Sequence, residues 1–255
     1  GGADFESPGC GSSSNTCTVI VLASDAASTA NTASRTFTIT IGNTNDNSPT
    51  DMALSAASAA EDASAGDDIG TLSTTDGDAS GNSHVYTLVT DSGGATAYSG
   101  TDFALASAVL EVGSSPSFDY ETTTQYTVYV KVADGSNTAY VEGFTISITD
   151  VNDESPVWTT SASQSVDEGT RNVATLGVTD GDAADSNTAT YAITTNDNSL
   201  FEIDSGVLRF VASGGADFES PGCGSSSNTC TVIVLASDAA STANTASRTF
   251  TITIG

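Results

Sequence analysis

Two stretches of the chain, "FTITIGNTNDNSP" (Phe37–Pro49) and "FTISITDVNDESP" (Phe144–Pro156), contain the pattern that decides its fold. Each begins with threonine or serine alternating with phenylalanine or isoleucine, the period-two pattern of a strand with one buried face. An Asn-Asp pair, a further acidic or amide residue and a proline come soon afterwards. Because the two stretches lie 107 residues apart, they predict successive copies of one β module, each ending in an acidic linker.

The repeat at an offset of 107 residues lies within a longer repeat. Residues 1–42 recur without a substitution at 214–255, an offset of 213 residues, so two related modules alternate along the chain. We predict the C-terminal part of a module plus linker at 1–47, a complete module at 48–154 and a second module at 155–255. Because the sequence opens midway through a module, we expect it to be a stretch of a longer periodic polymer.

Further strand patterns lie between the linkers. The segments "CTVIVLASD" (17–25) and "YTVYVKVAD" (126–134) alternate in the same way, while "FALASAVLEV" (103–112) and "FEIDSGVLRF" (201–210) each predict two short strands around a tight turn. Strand signals recur throughout, and we find no convincing amphipathic helix pattern. The sequence therefore predicts all-β sandwiches with Greek-key connections.

The charge of the chain restricts its partners. Only 5 Lys and Arg residues oppose 32 Asp and Glu residues, a formal net charge of −27. Such a field repels phosphate backbones and anionic membranes, so we expect no nucleic-acid partner and favour cations. No run of 18 apolar residues is present, so we expect no membrane insertion within this sequence.

Acidic residues follow one order in every module: a Glu, an Asp-Gly-Asp with a later Asn, an Asp-x-Glu, a single Asp and then the linker. The first full module contains Glu61, Asp76, Asp78, Asn82, Asp119, Glu121, Asp134 and the linker at 150–154. The second contains Glu168, Asp180, Asp182, Asn187, Asp217, Glu219 and Asp238. The opening partial module keeps Asp4, Glu6, Asp25 and the linker at 43–47.

This ordered set resembles the cadherin repeat family, in particular the cadherin-like modules of large bacterial surface proteins. The resemblance implies tandem seven-stranded Greek-key β-sandwiches of immunoglobulin-like architecture, arranged end to end, with Ca²⁺ bound between consecutive modules. At the first junction it implies ligands from Asp4, Glu6, the carbonyls of Thr44 and Asn47, Asn45, Asp46, Asp76, Asp78, Asn82 and Asp134. At the middle junction it implies Glu61, Asp119, Glu121, the carbonyls of Val151 and Glu154, Asn152, Asp153, Asp180, Asp182, the carbonyl of Asn187 and Asp238. At the last junction, which is half present, it implies Glu168, Asp217 and Glu219.

The residue types agree with this chemistry. Calcium takes six to eight oxygen ligands from carboxylates, amides and backbone carbonyls, and Asp-x-Asp or Asp-x-Glu can direct two acids to one face of an extended chain. The sequence departs from the family pattern at the first linker residue, Asn43, at Glu154, and at the aromatic residue inside each Asp-x-Glu. The alternative is a set of solvated turns that bind no metal.

The four cysteines form two local pairs, Cys10 with Cys17 and Cys223 with Cys230. With no His nearby, this spacing favours disulfides over zinc and therefore an oxidising compartment. A reactive thiol pair is the alternative.

Single aromatic and polar residues have structural interpretations. We predict that His84, the sole His, is a surface or strand residue. Trp158 is more consistent with a core anchor than with a sugar-stacking platform, and Met52 fills the corresponding gap in the first full module. The Thr36, Thr38 and Thr40 ladder fits an exposed strand face; O-linked sugars or a partner on that face are the alternative.

Two functions remain in contention. The first is a non-catalytic structural rod, stiffened by calcium, in an extracellular filament or surface fibre with copies of itself along or beside it. The second is an adhesin whose β-sandwich faces recognise a glycan or a like partner. We expect no enzyme, because each acidic pair belongs to the repeated set and an active site would rarely recur with every module. Either function places the chain outside the cell or on its surface, as a secreted protein.

Overall fold

The computed structural model describes residues 2–10, 15–78, 83–135, 137–182, 189–224, 228–238 and 242–255. The chain divides into two compact units, one comprising Gly1–Phe118 and Thr123–Ile148, the other Asp119–Thr122 and Thr149–Gly255. Among the described residues, no helix has the length and apolar character that crossing a membrane requires.

The described residues of the first unit form ten strands. They are β1 (Thr16–Ser24), β2 (Thr32–Thr40), β3 (Asp51–Leu54), β4 (Ser58–Ala60), β5 (Asp68–Thr75), β6 (Val85–Val89), β7 (Phe103–Ala106), β8 (Val109–Val112), β9 (Gln125–Ala133) and β10 (Tyr140–Thr149).

Strands β3 to β10 form two four-stranded sheets, in the orders β3-β5-β8-β7 and β4-β10-β9-β6. The apolar residues of the alternating strands, such as Leu110, Val130, Val132 and Ile146, are fully buried. The opening strand is divided, because β3 pairs with β5 while β4 lies beside β10 in the other sheet. The segment 51–60 thus contributes to both sheets.

Strands β1 and β2 form a separate two-stranded antiparallel sheet. Its pairing places Val19 opposite Phe37 and Cys17 opposite Ile39. Both strands are almost entirely exposed, including their large apolar side chains.

In the second unit, the described residues form nine strands and one 3₁₀ turn at Asp197–Ser199. The strands are β11 (Val157–Trp158), β12 (Ser163–Val166), β13 (Asn172–Thr175), β14 (Val178–Thr179), β15 (Thr190–Asn196), β16 (Phe201–Asp204), β17 (Val207–Phe210), β18 (Thr229–Ser237) and β19 (Thr245–Ile254).

These strands form the sheets β12-β19-β18-β15, β13-β17-β16 and β11-β14. Strand β12 pairs with β19 in parallel, whereas β15 and β18 are antiparallel. Trp158 anchors the core: it is 8% exposed, lies 5.4 Å from the Phe250 ring and donates from Nε1 to the Ala246 carbonyl at 3.2 Å. The predictions of an all-β sandwich fold and of a core role for Trp158 are confirmed, whereas the module boundaries remain predictions.

Candidate metal centres

In the first unit, two acidic clusters share one residue. Carboxylate oxygens of Glu6, Asp46 and Asp78 lie within 4.8 Å of one another, and those of Asp76, Asp78 and Asp134 do the same. Glu6 precedes β1, Asp46 lies in the linker after β2, and Asp78 follows β5. The fold of the first unit therefore brings together acids that are up to 72 residues apart in the sequence.

Asp78 also holds the linker in place. It is buried, and its carboxylate accepts hydrogen bonds from the backbone amide and the side-chain amide of Asn47, both at 3.0 Å. The backbone at Gly77 approaches the same side chain so closely that an added Cβ would lie 2.8 Å from Asn47 Cγ. The glycine in Asp-Gly-Asp therefore makes room for the linker.

Asn137 organises the same linker, although the sequence analysis did not identify it. Its side-chain nitrogen lies 2.6 Å from Asn45 Oδ1 and 2.6 Å from the Asn47 carbonyl, and it also donates to Asp134. Asn244 has the same role in the second unit, donating to the carbonyl of linker residue Asn152 at 3.2 Å. An Asn shortly after the single Asp of each module is the signal that could have identified both.

His84 contacts this cluster as well. Its Nε2 lies 3.1 Å from Asp76 Oδ2, and its ring is partly buried. His84 thus lies immediately before β6 with a partly exposed side chain, and it also contacts an acid of the cluster, which was not predicted.

In the second unit, Asp180, Asp182 and Asp238 form the equivalent cluster, again within 4.8 Å. Asp182 is only 1% exposed, and its Oδ1 accepts from the backbone amides of Asp153 and Glu154 at 3.4 and 3.5 Å. These contacts match those of Asp78 in the first unit.

Three oxygen atoms beside this cluster are buried without a hydrogen-bond partner: Asp180 Oδ2, Asp182 Oδ2 and Asn152 Oδ1. Burial raises the pKa of the Asp182 carboxyl, and the charges of Asp180 and Asp150 raise it further, against the opposing effect of the two linker amides. Buried oxygens without a hydrogen-bond partner are costly, and a cation bound by Asp180 and Asp182 would relieve part of that cost.

A third type of cluster, Glu168, Asp217 and Glu219, is exposed. A hydrogen bond with Glu219, together with the negative charge of that residue, raises the pKa of Glu168. Two acids close enough to share a proton can also share a cation.

The first residue of each Asp-x-Glu caps a turn. Asp4 accepts from the Ser7 amide at 2.9 Å, Asp119 from the Thr122 amide at 2.9 Å and Asp217 from the Ser220 amide at 2.8 Å. The identical geometry in three copies indicates that this Asp orders the loop that presents the following Glu.

Solved structures with the same architecture extend over nearly the whole chain. Mouse cadherin-23 EC22-24 is 22% identical with a TM-score of 0.68, covering 99% of this chain and 76% of that one. The protocadherin gammaB7 EC3-6 cis-dimer structure is 22% identical with a TM-score of 0.66, covering 99% of this chain and 58% of that one. The human desmocollin-1 ectodomain is 20% identical with a TM-score of 0.62, covering 88% of this chain and 44% of that one. The fold is cadherin-like. No protein-family profile and no curated protein matches the sequence.

Most of the other predicted calcium ligands lie among the described residues, and each has its own surroundings. Glu61 is buried in the first unit, and Glu121 lies in the second. Asn45 donates to the Asp134 carbonyl at 3.1 Å while its side-chain oxygen accepts from Asn137, and Asn152 donates to the Thr242 carbonyl at 2.9 Å. Asn82 and Asn187 lie outside the described residues.

The donor set fits calcium. The clusters of this cadherin-like chain contain carboxylate oxygens and are adjacent to amide and backbone carbonyl oxygens, the ligands that hard divalent cations prefer. Mg²⁺ demands a small, regular octahedron, whereas Ca²⁺ accepts larger and less regular shells. If calcium binds at these clusters, it would neutralise the mutual repulsion of their carboxylates, including those of Asp180 and Asp182.

Both predicted disulfides are present, joining Cys10 to Cys17 and Cys223 to Cys230. The Cα atoms lie 5.1 and 4.9 Å apart, within the normal range for a disulfide. Each bridge tethers the loop before β1 or β18 to the second residue of that strand.

Proposed function

We propose that this chain is a non-catalytic structural protein of the cell exterior, in which Ca²⁺ bound between consecutive β-sandwich modules stiffens a tandem array into a rod. The observation that carries the proposal is the meeting of Glu6, Asp46 and Asp78. In the module boundaries that we propose, these acids come from the opening partial module, its linker and the next module. A cation held by all three would join two modules through charge rather than through an apolar interface.

The extracellular setting is supported by two features. Both cysteine pairs are disulfide-bonded, and disulfides persist mainly in oxidising compartments. Extracellular calcium modules also bind weakly, with Kd of about 10⁻⁴–10⁻³ M, which suits surroundings rich in calcium. A filament or surface fibre is the form that a stiffened array would take.

Calcium binding is tested by isothermal titration calorimetry of the chain after treatment with EDTA. We expect several ions to bind, and Asp78→Asn to remove at least one of them, because Asp78 belongs to two clusters. Asp68→Asn is the matched control: Asp68 is exposed at the start of β5, outside the acidic clusters of the described residues. No calcium binding, or equal losses in both variants, would reject the proposal.

Stiffening is tested separately by small-angle X-ray scattering with calcium and with EDTA. We expect the maximum dimension to be well defined with calcium and its distribution to broaden when calcium is removed. Asp78→Asn with calcium should behave partly like the metal-free protein. If calcium binds but the scattering does not change, the chain is a calcium-binding module without a stiffening role.

Adhesion to a like partner is the second candidate. It is favoured by the likeness to protocadherin gammaB7, whose EC3-6 structure is a cis-dimer. Glycan recognition has less support, because Trp158, the sole Trp, is buried in the core and cannot stack on a sugar. Sedimentation velocity over a range of concentrations tests this second candidate, and a chain that stays monomeric throughout would reject adhesion to a like partner.

A further inference from the structure

The three Asp-x-Glu loops differ in length. Glu121 lies four residues before Gln125, where β9 begins. Glu6 and Glu219 instead lie ten residues before the start of the equivalent strand, β1 or β18. The two long loops have the same sequence and each contains a cysteine, whereas the short loop contains none. Because each added residue brings backbone conformations that must be fixed, a long loop holds its Glu less firmly unless something else constrains it.

The disulfide supplies such a constraint in the second unit. Cys223 comes four residues after Glu219, and its bridge joins it to Cys230, the second residue of β18. Cys230 is fully buried, and Cys223 packs against the same core. Glu219 is therefore four residues from a cysteine that is bonded to the buried strand, the separation that the short loop has without a bridge. The first copy has the same bridge between its long loop and β1.

The other contacts that fix the long loop of the second unit are few. In the part of the chain that the structure describes, no backbone–backbone hydrogen bond involves residues 217–224. The side-chain amide of Asn198 donates to the Gly222 carbonyl, and the Phe218 backbone amide donates to the Glu168 carboxylate. Since one of these contacts is to an exposed candidate ligand, the disulfide is the connection that fixes the loop to the core.

We infer that the two disulfides position calcium ligands: each bridge holds the loop that presents Glu6 or Glu219 and thereby raises the calcium affinity of the cluster to which that Glu belongs. The inference rests on the proposed function, because it gives the cysteines a role at the same calcium clusters. Without the bridge, the free energy of calcium binding must also order the long loop. The cluster of Glu61, Glu121 and Asp150 needs no bridge, because its loop is short.

The test is a double-mutant cycle on the whole 255-residue chain, with calcium binding measured by isothermal titration calorimetry. Replacing the first pair, Cys10→Ala with Cys17→Ala, should weaken calcium binding at one site about tenfold or more, because calcium must then order residues that the bridge now fixes. Glu6→Gln should weaken the same site. Adding the cysteine changes to Glu6→Gln should cause little further loss, since the bridge acts through Glu6. This pair is preferred because Cys17 is only partly buried, so its replacement opens no core cavity.

Glu121→Gln is the matched control, because Glu121 belongs to the cluster whose loop has no bridge. In that background the cysteine changes should weaken binding by the same factor as in the natural chain. Thermal unfolding in EDTA shows whether each variant is folded. Undiminished calcium affinity in the cysteine variant, or an equal loss with and without Glu6, overturns the inference and leaves the proposed function standing. A natural chain that binds no calcium rejects the proposed function, and the inference with it.

Discussion

At the scale of single residues, the Asp-Gly-Asp motif combines a carboxylate that accepts hydrogen bonds from the linker with a central position that only a small residue can fill. The second Asp clamps the linker through its amides, and the Gly allows the linker side chain to approach, at Gly77 through Asn47 and at Gly181 through Glu154. Glu154 replaces the amide residue of the first linker and makes the corresponding approach, with its Cγ 3.2 Å from the position of an added Gly181 Cβ. The motif is therefore a joint between module and linker as well as a source of ligands.

Asp182 gives a prediction whose sign depends on calcium. Without metal, Asp182→Asn should stabilise the second unit, because it removes a buried charge and lets the new amide donate toward Asp180 or Asp238, while Oδ1 still accepts from the linker. With saturating calcium the same change should destabilise the unit relative to the natural protein, since a charged ligand is lost. Thermal unfolding in EDTA and in calcium measures both signs.

Asp167→Asn provides the control for that crossover. Asp167 is exposed and belongs to no acidic cluster among the described residues, so its neutralisation should change the unfolding temperature little in either condition. Destabilisation by Asp182→Asn in EDTA would contradict the interpretation and would indicate that the carboxylate is needed for packing alone.

At the scale of elements, the two identical hairpins separate what a sequence specifies from what its neighbours add. The alternation in "FTITI" forms a strand in both copies, as predicted, and the two copies pair in the same register. The predicted burial of one face is found in β19 but not in β2, which is exposed. The alternation carries no information on whether a second sheet covers that face, because burial depends on residues far away in the sequence. The exposure of β1 and β2 therefore could not be predicted from their own residues.

A matched pair of substitutions measures the contribution of that covering. Phe250→Ala should destabilise the second unit by about 3–5 kcal/mol, the usual cost of truncating a buried Phe. Phe37→Ala, the same change in the same sequence, should cost less than about 1 kcal/mol, because its ring is partly exposed. Chemical denaturation of both variants measures the difference, and equal costs would show that the first hairpin is covered in solution.

Other elements show which structural features the local sequence predicts and which it does not. The tight turns predicted at 103–112 and 201–210 are present, with β7–β8 and β16–β17 as the hairpin strands and Ser205 and Gly206 at positive φ. The separation of β3 from β4 was not predicted, because it depends on the sheet in which each of these strands pairs. The roles of Asn137 and Asn244 were missed for a related reason: they act on a linker that is close in space and distant in sequence.

At the scale of the whole molecule, the ordered acids indicated the architecture better than any single motif did. One Asp-Gly-Asp is also an ordinary turn, but its order relative to Asp-x-Glu and the linker requires a fold that brings them together, as Glu6, Asp46 and Asp78 are brought together. Sequence alone could not assign the individual roles within the set, such as the turn-capping function of Asp4, Asp119 and Asp217. Those roles depend on loop geometry.

The net charge of −27 sets a condition on the stability of the whole chain. Without bound cations, the carboxylates repel one another within and between clusters, and this self-repulsion opposes the compact state. The Debye length falls from about 30 Å at 0.01 M salt to about 10 Å at 0.1 M, so added salt screens the more distant pairs first. Divalent ions would cancel charge directly at the clusters.

Raising NaCl from about 0.01 M to about 0.1 M should therefore raise the unfolding temperature of the EDTA-treated chain. Each kcal/mol by which the repulsion falls should raise that temperature by about 2–4 °C. With saturating calcium the rise should be smaller, because the bound ions have already removed much of the repulsion. Differential scanning calorimetry measures both series. Choline chloride at the same ionic strength is the control, since a bulky organic cation cannot enter a carboxylate cluster and should match NaCl if screening is the cause. A metal-free chain whose stability falls with salt would show that its acids are already paired with cationic partners, contrary to a composition of 5 basic and 32 acidic residues.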